Sequence, residues 1–158
     1  MSTQRTAGGS TGQNLELRIS RTLNAPRHVV FEAWANPERA RRWWGPRGFR
    51  TTIQQWDVRP GGHWRATMRS PDGKEHPQRG VFHEIVPPER TVYTFKWVNE
   101  SDPESIVTVD FADLGERTEM TFRQQEFKSA ESRDSHEAGW NEAFDRLTEE
   151  LAKGRGNH

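Results

Sequence analysis

Apolar and polar residues alternate along "LELRISRTL" (15–23), with Leu15, Leu17 and Ile19 set against Glu16, Arg18 and Ser20. A period of two predicts a strand with one buried face. The pattern changes in "APRHVVFEAWANPERARRWWG" (25–45). Pro26 suits a first helical turn, and Val29, Val30, Ala33 and Trp34 form a helical stripe. Asn36-Pro37 ends that helix and starts a second, short one that closes near Trp43. The period then returns to two. "RTTIQQWDVR" (50–59), "HWRATMRS" (63–70), "GVFHEIV" (80–86), "TVYTFKWV" (91–98), "SIVTVDFAD" (105–113) and "TEMTFRQ" (118–124) all read as strands. The segments between them, such as "PGG", "PDGK", "PPER" and "LGER", carry turn chemistry.

The last segment, 129–153, is helical. His136, Trp140, Ala143, Phe144, Leu147 and Leu151 recur on one face, and Asp134, Glu142, Asp145, Arg146 and Glu149 on the other. Ser129, with Ser132 as the alternative, is the expected N-cap. Antiparallel strands with one apolar face need a cover, and this helix is the one element large enough to supply it. The expected fold is therefore α+β. A curved antiparallel sheet wraps around a long C-terminal helix, with two short helices after the first strand, in the helix-grip arrangement. One domain spans 14–153. The polar stretches 1–13 and 154–158 read as disordered tails.

Composition narrows the function. Lys and Arg number 23, as do Asp and Glu, so the net charge is zero. That argues against a nucleic-acid binder, which needs a basic excess on one face. No apolar run approaches a membrane span, and the N-terminus lacks the apolar core of a signal peptide. A cytoplasmic location is the default. Cysteine is absent, which excludes disulfides and thiolate metal sites. Hydrophobic residues make up only 31% of the chain, yet seven are tryptophans. A low count of large, periodic apolar residues fits a shell around a cavity better than a solid core.

Four stretches carry a resemblance. "APRHVVFEAWANPERARRWWGPRGF" (25–49), "DVRPGGHWRATMRSPDGK" (57–74), "GVFHEIVPPERTVYTF" (80–95) and "GWNEAFDRLTEEL" (139–151) are similar, in that order, to bacterial single-domain relatives of the C-terminal domain of the activator of heat-shock-protein-90 ATPase. That family belongs to the START-like, SRPBCC or birch-pollen-allergen-like superfamily. The resemblance implies the helix-grip fold and a cavity, and it leaves the chemistry open. Its members include ligand carriers and enzymes, so a cyclase or hydrolase working in the same cavity is one alternative. The family name implies another, a chaperone partner. The accompanying domain of the eukaryotic activator has no counterpart in this sequence, which weakens that reading.

Strand parity directs Trp64, Tyr93, Phe95 and Trp97 between sheet and helix, and helical spacing directs Trp140 and Phe144 toward them. Together with His136 at the edge and Gly139, these are the expected ligand-binding residues for a small hydrophobic molecule. The resemblance places the Gly139-Trp140 pair beside the cavity. Trp43 and Trp44 cannot point the same way, because helical neighbours diverge by about 100°. One is expected to plug the core beneath the helical hairpin and the other to reach the pocket rim. The six histidines are scattered without metal-ligand spacing, and no nucleotide-binding glycine motif occurs. No metal and no cofactor are therefore expected. Asp57 and Glu84 are the candidates for an inward acid or base. The expected assembly is a monomer or a weak homodimer.

Overall fold

The computed structural model of the chain describes residues 15–98 and 103–156, the last three by backbone alone. The expected N-terminal tail lies outside the described residues. In chain order the elements are β1 (Leu15–Leu23), α1 (Arg27–Ala35), α2 (Pro37–Trp43), β2 (Arg50–Trp56), β3 (His63–Arg69), β4 (Glu75–Val86), β5 (Arg90–Trp97), β6 (Ser105–Asp113), β7 (Thr118–Phe127) and α3 (Ala130–Gly156). The strands form one antiparallel sheet of order β1-β7-β6-β5-β4-β3-β2. The short connections from β2 to β7 make a meander, and the α1–α2 excursion carries the chain from β1 at one edge to β2 at the other. This is the helix-grip fold expected from the pattern.

Alternation sets the core. Leu17 and Ile19, then Trp64, Ala66 and Met68, then Val107, Val109 and Phe111, then Met120 and Phe122 are buried on one face of the sheet. Trp140, Ala143, Phe144, Leu147 and Leu151 of α3 cover them. Three strand pairings depart from simple parity, the first between Leu15 and Glu16 where β1 meets β7. The register also shifts between Ile53 and Gln55 in β2, and between Phe82 and Glu84 in β4. Such shifts re-aim side chains and bend the sheet. β4 is also longer than the expected 80–86, because its pairing with β3 begins at Glu75.

Gly80 permits one close approach inside the sheet. Trp64 pairs with it across β3 and β4, and the Trp64 indole crosses over the glycine to donate from Nε1 to Thr94 O at 3.0 Å. A Cβ on Gly80 would lie 1.8 Å from that carbonyl oxygen and 2.3 Å from Nε1. No other residue fits there.

Helix ends follow local chemistry. Asn36 Oδ1 accepts from the Glu38 amide at 2.9 Å, capping α2 next to Pro37. Ser129 Oγ accepts from the Ser132 amide at 3.0 Å, the expected N-cap of α3. That helix runs on to Gly156 rather than stopping near 153, and residues 157–158 lie outside the described residues. No helix among the described residues is long and apolar enough to cross a membrane.

Candidate functional site

The tryptophan pair at the end of α2 divides the interior. Trp43 is the plug: it is 0% exposed and donates from Nε1 to Ala33 O at 3.1 Å, locking α2 against α1. Trp44 points into the space between sheet and α3, where its ring lies 5.6 Å from Trp64 and 5.1 Å from Trp140. It is as buried as a core residue, so it forms the base of an opening and not the rim that was expected. The reason is the Gly45-Pro46 turn. Gly45 takes a positive φ of 100°, which swings the chain outward and leaves the Trp44 ring behind it.

In front of Trp44 lies a cleft of about 430 Å3, within the size range of small-molecule sites. Trp44, Gln78, Phe95 and Trp140 are buried at its base. Trp97 and His136 form one wall, Phe49, Met68 and His76 another. Lys128, Glu131 and Ser135 are exposed at the mouth. Trp97 Nε1 donates to His136 Nε2 at 3.0 Å, which makes that ring nitrogen an acceptor. Gly139 faces Pro46 across the neck, where an added Cβ would meet Pro46 Cγ at 3.7 Å, an ordinary contact.

Five of the eight expected ligand residues therefore border the cleft: Phe95, Trp97, His136, Gly139 and Trp140. Trp64, Tyr93 and Phe144 do not. Trp64 and Tyr93 pack behind Trp44, and Phe144 packs on Phe122 and Trp34. Parity aimed them inward correctly, but the Trp44 ring stands between Trp64 or Tyr93 and the opening. Met68, Gln78 and Phe49 join the cleft without having been singled out. Gln78 shares the inward parity of Gly80 and Phe82, a signal that a strand beginning at Gly80 does not carry.

Behind the base, Trp34 Nε1, Thr91 Oγ1 and Tyr93 Oη are buried with no hydrogen-bond partner among the described residues. All three residues line a second void of about 10 Å3, room for one water. Burial pushes the Tyr93 phenol well above its ordinary value.

The candidate acid–base carboxylates lie elsewhere. Asp57 pairs with Arg59 at 2.9 Å, and Glu84 is exposed, 3.9 Å from Arg90. Neither lines the cleft. Among the described residues no group of three or more His, Cys, Asp or Glu is placed to hold a metal ion.

One charged residue, expected on the solvent face, is structural. Arg146 Nη1 donates to Gly45 O at 2.8 Å and Pro46 O at 3.0 Å, and Nη2 to Arg42 O at 2.9 Å. It ties α3 to the turn that frames the cleft. Partial burial, with the Arg47 charge nearby, lowers the pKa of this guanidinium from its ordinary value.

The fold has counterparts of known structure. Protein CV1439 from Chromobacterium violaceum is 27% identical with a TM-score of 0.80, over 84% of this chain and 94% of that one. A protein from Rhizobium leguminosarum is 28% identical with a TM-score of 0.72, over 89% and 95%. The AHSA1 protein SPO3351 from Silicibacter pomeroyi has a TM-score of 0.81 over 89% and 99%; at 23% identity that likeness shows the fold alone. No curated protein matches the chain. The model of the family described as "Activator of Hsp90 ATPase homolog 1-like protein" matches residues 24–152, every element from α1 through most of α3. The chain belongs to that family.

Proposed function

We propose that this protein binds a small hydrophobic molecule in the cleft between the sheet and the N-terminal half of α3. One observation carries the reading. From Ala130 to Gly139 no residue of α3 is buried, although this stretch faces the indoles of Trp44, Trp97 and Trp140. Large apolar side chains beside an unfilled space are the usual lining of a ligand site. Polar residues such as Lys128, Glu131 and Ser135 line the mouth, but Gln78 is the one buried polar lining residue, so shape and burial at the base supply most of the affinity. Family membership supports a binding domain, and the chaperone reading draws on the family description alone.

A thermal-shift screen tests this. A ligand that binds only the folded chain stabilises it by about 2.7 kcal/mol at a hundredfold excess over Kd. Flat or apolar compounds should raise the midpoint and quench tryptophan fluorescence, and polar metabolites should do neither. A screen in which no apolar compound shifts the midpoint, and a chaperone does, transfers the assignment to a protein-interaction module.

A further inference from the structure

Two glutamines are buried in the sheet, Gln124 at 0% and Gln78 at 2% exposure. Each meets an indole: Trp140 Nε1 lies 2.9 Å from Gln124 Oε1, and Trp44 Nε1 lies 2.9 Å from Gln78 Oε1. An indole N–H only donates, so it must face the amide oxygen. This settles which end of each amide carries nitrogen, an assignment that rests on the hydrogen-bond network.

The nitrogens then differ. Gln124 Nε2 donates to Ser105 Oγ at 2.8 Å, and the Ser105 hydroxyl reaches Phe95 O at 3.4 Å. Both polar atoms of that amide are therefore engaged. Gln78 Nε2 makes no hydrogen bond among the described residues. It is also not sealed in the protein, because the buried atoms without partners are those of Trp34, Thr91 and Tyr93. Gln78 lines the cleft at its base. An amide N–H held in place by Trp44 is thus offered at the base of the cleft, where the other buried lining groups are apolar.

We propose that Gln78 is the specificity-determining contact of the cleft, and that the ligand is an uncharged apolar molecule carrying a carbonyl oxygen at the end that reaches Gln78 Nε2. The inference rests on the cleft being a ligand site. A neutral acceptor fits better than a carboxylate. The cleft's Lys128 and Glu131 stand at the exposed mouth, and a buried anion needs a paired cation. His76 and His136 are on the walls, and Nε2 of His136 already accepts from Trp97.

The test compares fluorene with fluorenone, which share a shape and differ by one carbonyl oxygen. Equilibrium dialysis of the full chain should give fluorenone the lower Kd by about tenfold, one hydrogen bond's worth of discrimination. In the unmutated protein, the side-chain amide protons of Gln78 should move further downfield with fluorenone than with fluorene, whose ring current alone acts on them. In a Trp44→Phe/Gln78→Met variant, which removes both the amide and the indole N–H it would orphan, the ratio of the two Kd values should fall to about one. Equal affinities in the unmutated chain, or fluorenone binding with the Gln78 amide moved no further downfield than by fluorene, would overturn the assignment while leaving a hydrophobic site intact. Binding of neither probe would overturn the ligand-site reading and this one together.

Discussion

The two halves of α3 face the same sheet and bury themselves very differently. From Trp140 onward, Ala143, Phe144, Leu147 and Leu151 are all buried; from Ala130 to Gly139 nothing is. The second half is held by three independent ties to the α2–β2 turn. Arg146 bonds its carbonyls, Glu142 accepts from the Arg47 amide at 3.0 Å, and Arg47 pairs with Glu149. Among the described residues the first half is held at the cleft wall, where His136 accepts from Trp97 and packs against Phe127 at 5.0 Å between ring centroids. The long helix α3 does not bury the sheet-facing side of its first three turns. Where the turn clamps it, the interior closes; where it stands away, a cleft remains. The difference teaches that the site is made by helix placement as much as by the residues that line it.

The largest expected effect breaks the packed half. Phe144→Ala should cost about 3–5 kcal/mol, as should Trp140→Ala, which also strips Gln124 Oε1 of its donor. Urea denaturation measures both. A loss below about 1 kcal/mol at Phe144 would mean that the clamped half is not tightly packed. Next comes the clamp itself. Arg146→Met removes charged donors from four carbonyls and should cost about 2 kcal/mol. It should also weaken any cleft ligand, because the Gly45-Pro46 turn forms part of the wall. Stability lost with binding unchanged would separate the clamp from the site.

A smaller effect of opposite sign belongs to the open half. Gly139→Ala should stabilise by up to about 1 kcal/mol, since helix propensity rises and the methyl meets Pro46 without a clash. Gly139→Leu should narrow the neck and weaken ligand binding without unfolding the chain. The smallest effect at neutral pH concerns Tyr93, whose hydroxyl has no partner among the described residues. Tyr93→Phe should change stability by less than about 1 kcal/mol there. At high pH the sign is set by linkage. The folded phenol keeps its proton above 10.0, where the unfolded chain releases it, so stability falls as pH rises past that value. Tyr93 is the sole tyrosine, so the phenolate absorbance of the native protein should appear only on alkaline unfolding. Phenolate at high pH in a still-folded chain would show that the region behind Trp44 is open to water.

The elements were legible because burial on one face imposes a period. Leu17, Ile19, Trp64, Met68, Val107 and Phe122 announce their inward direction in a string of letters, and Asn36-Pro37 and Ser129 mark helix starts by local hydrogen bonding. Of the cleft residues, Phe95, Trp97, His136 and Trp140 could be named from period, and Gly139 from the family resemblance. Trp64, Tyr93 and Phe144 carry the same signal and fall outside the cleft, because period gives a direction and no depth.

The sequence by itself thus determined which faces must be hidden, hence the sheet, the long covering helix and the aromatic character of the space between them. Those are one-dimensional consequences of backbone geometry and the hydrophobic effect. Only the tertiary structure decided where that space stays open. Trp44 fills its middle because the chain turns at Gly45, and Arg146 clamps α3 to carbonyls about 100 residues away in sequence. Gln78 is left with a spare N–H because its one side-chain hydrogen-bond partner among the described residues, the Trp44 indole, can only donate. Each depends on which atoms meet across distant segments, a relation that no local pattern encodes.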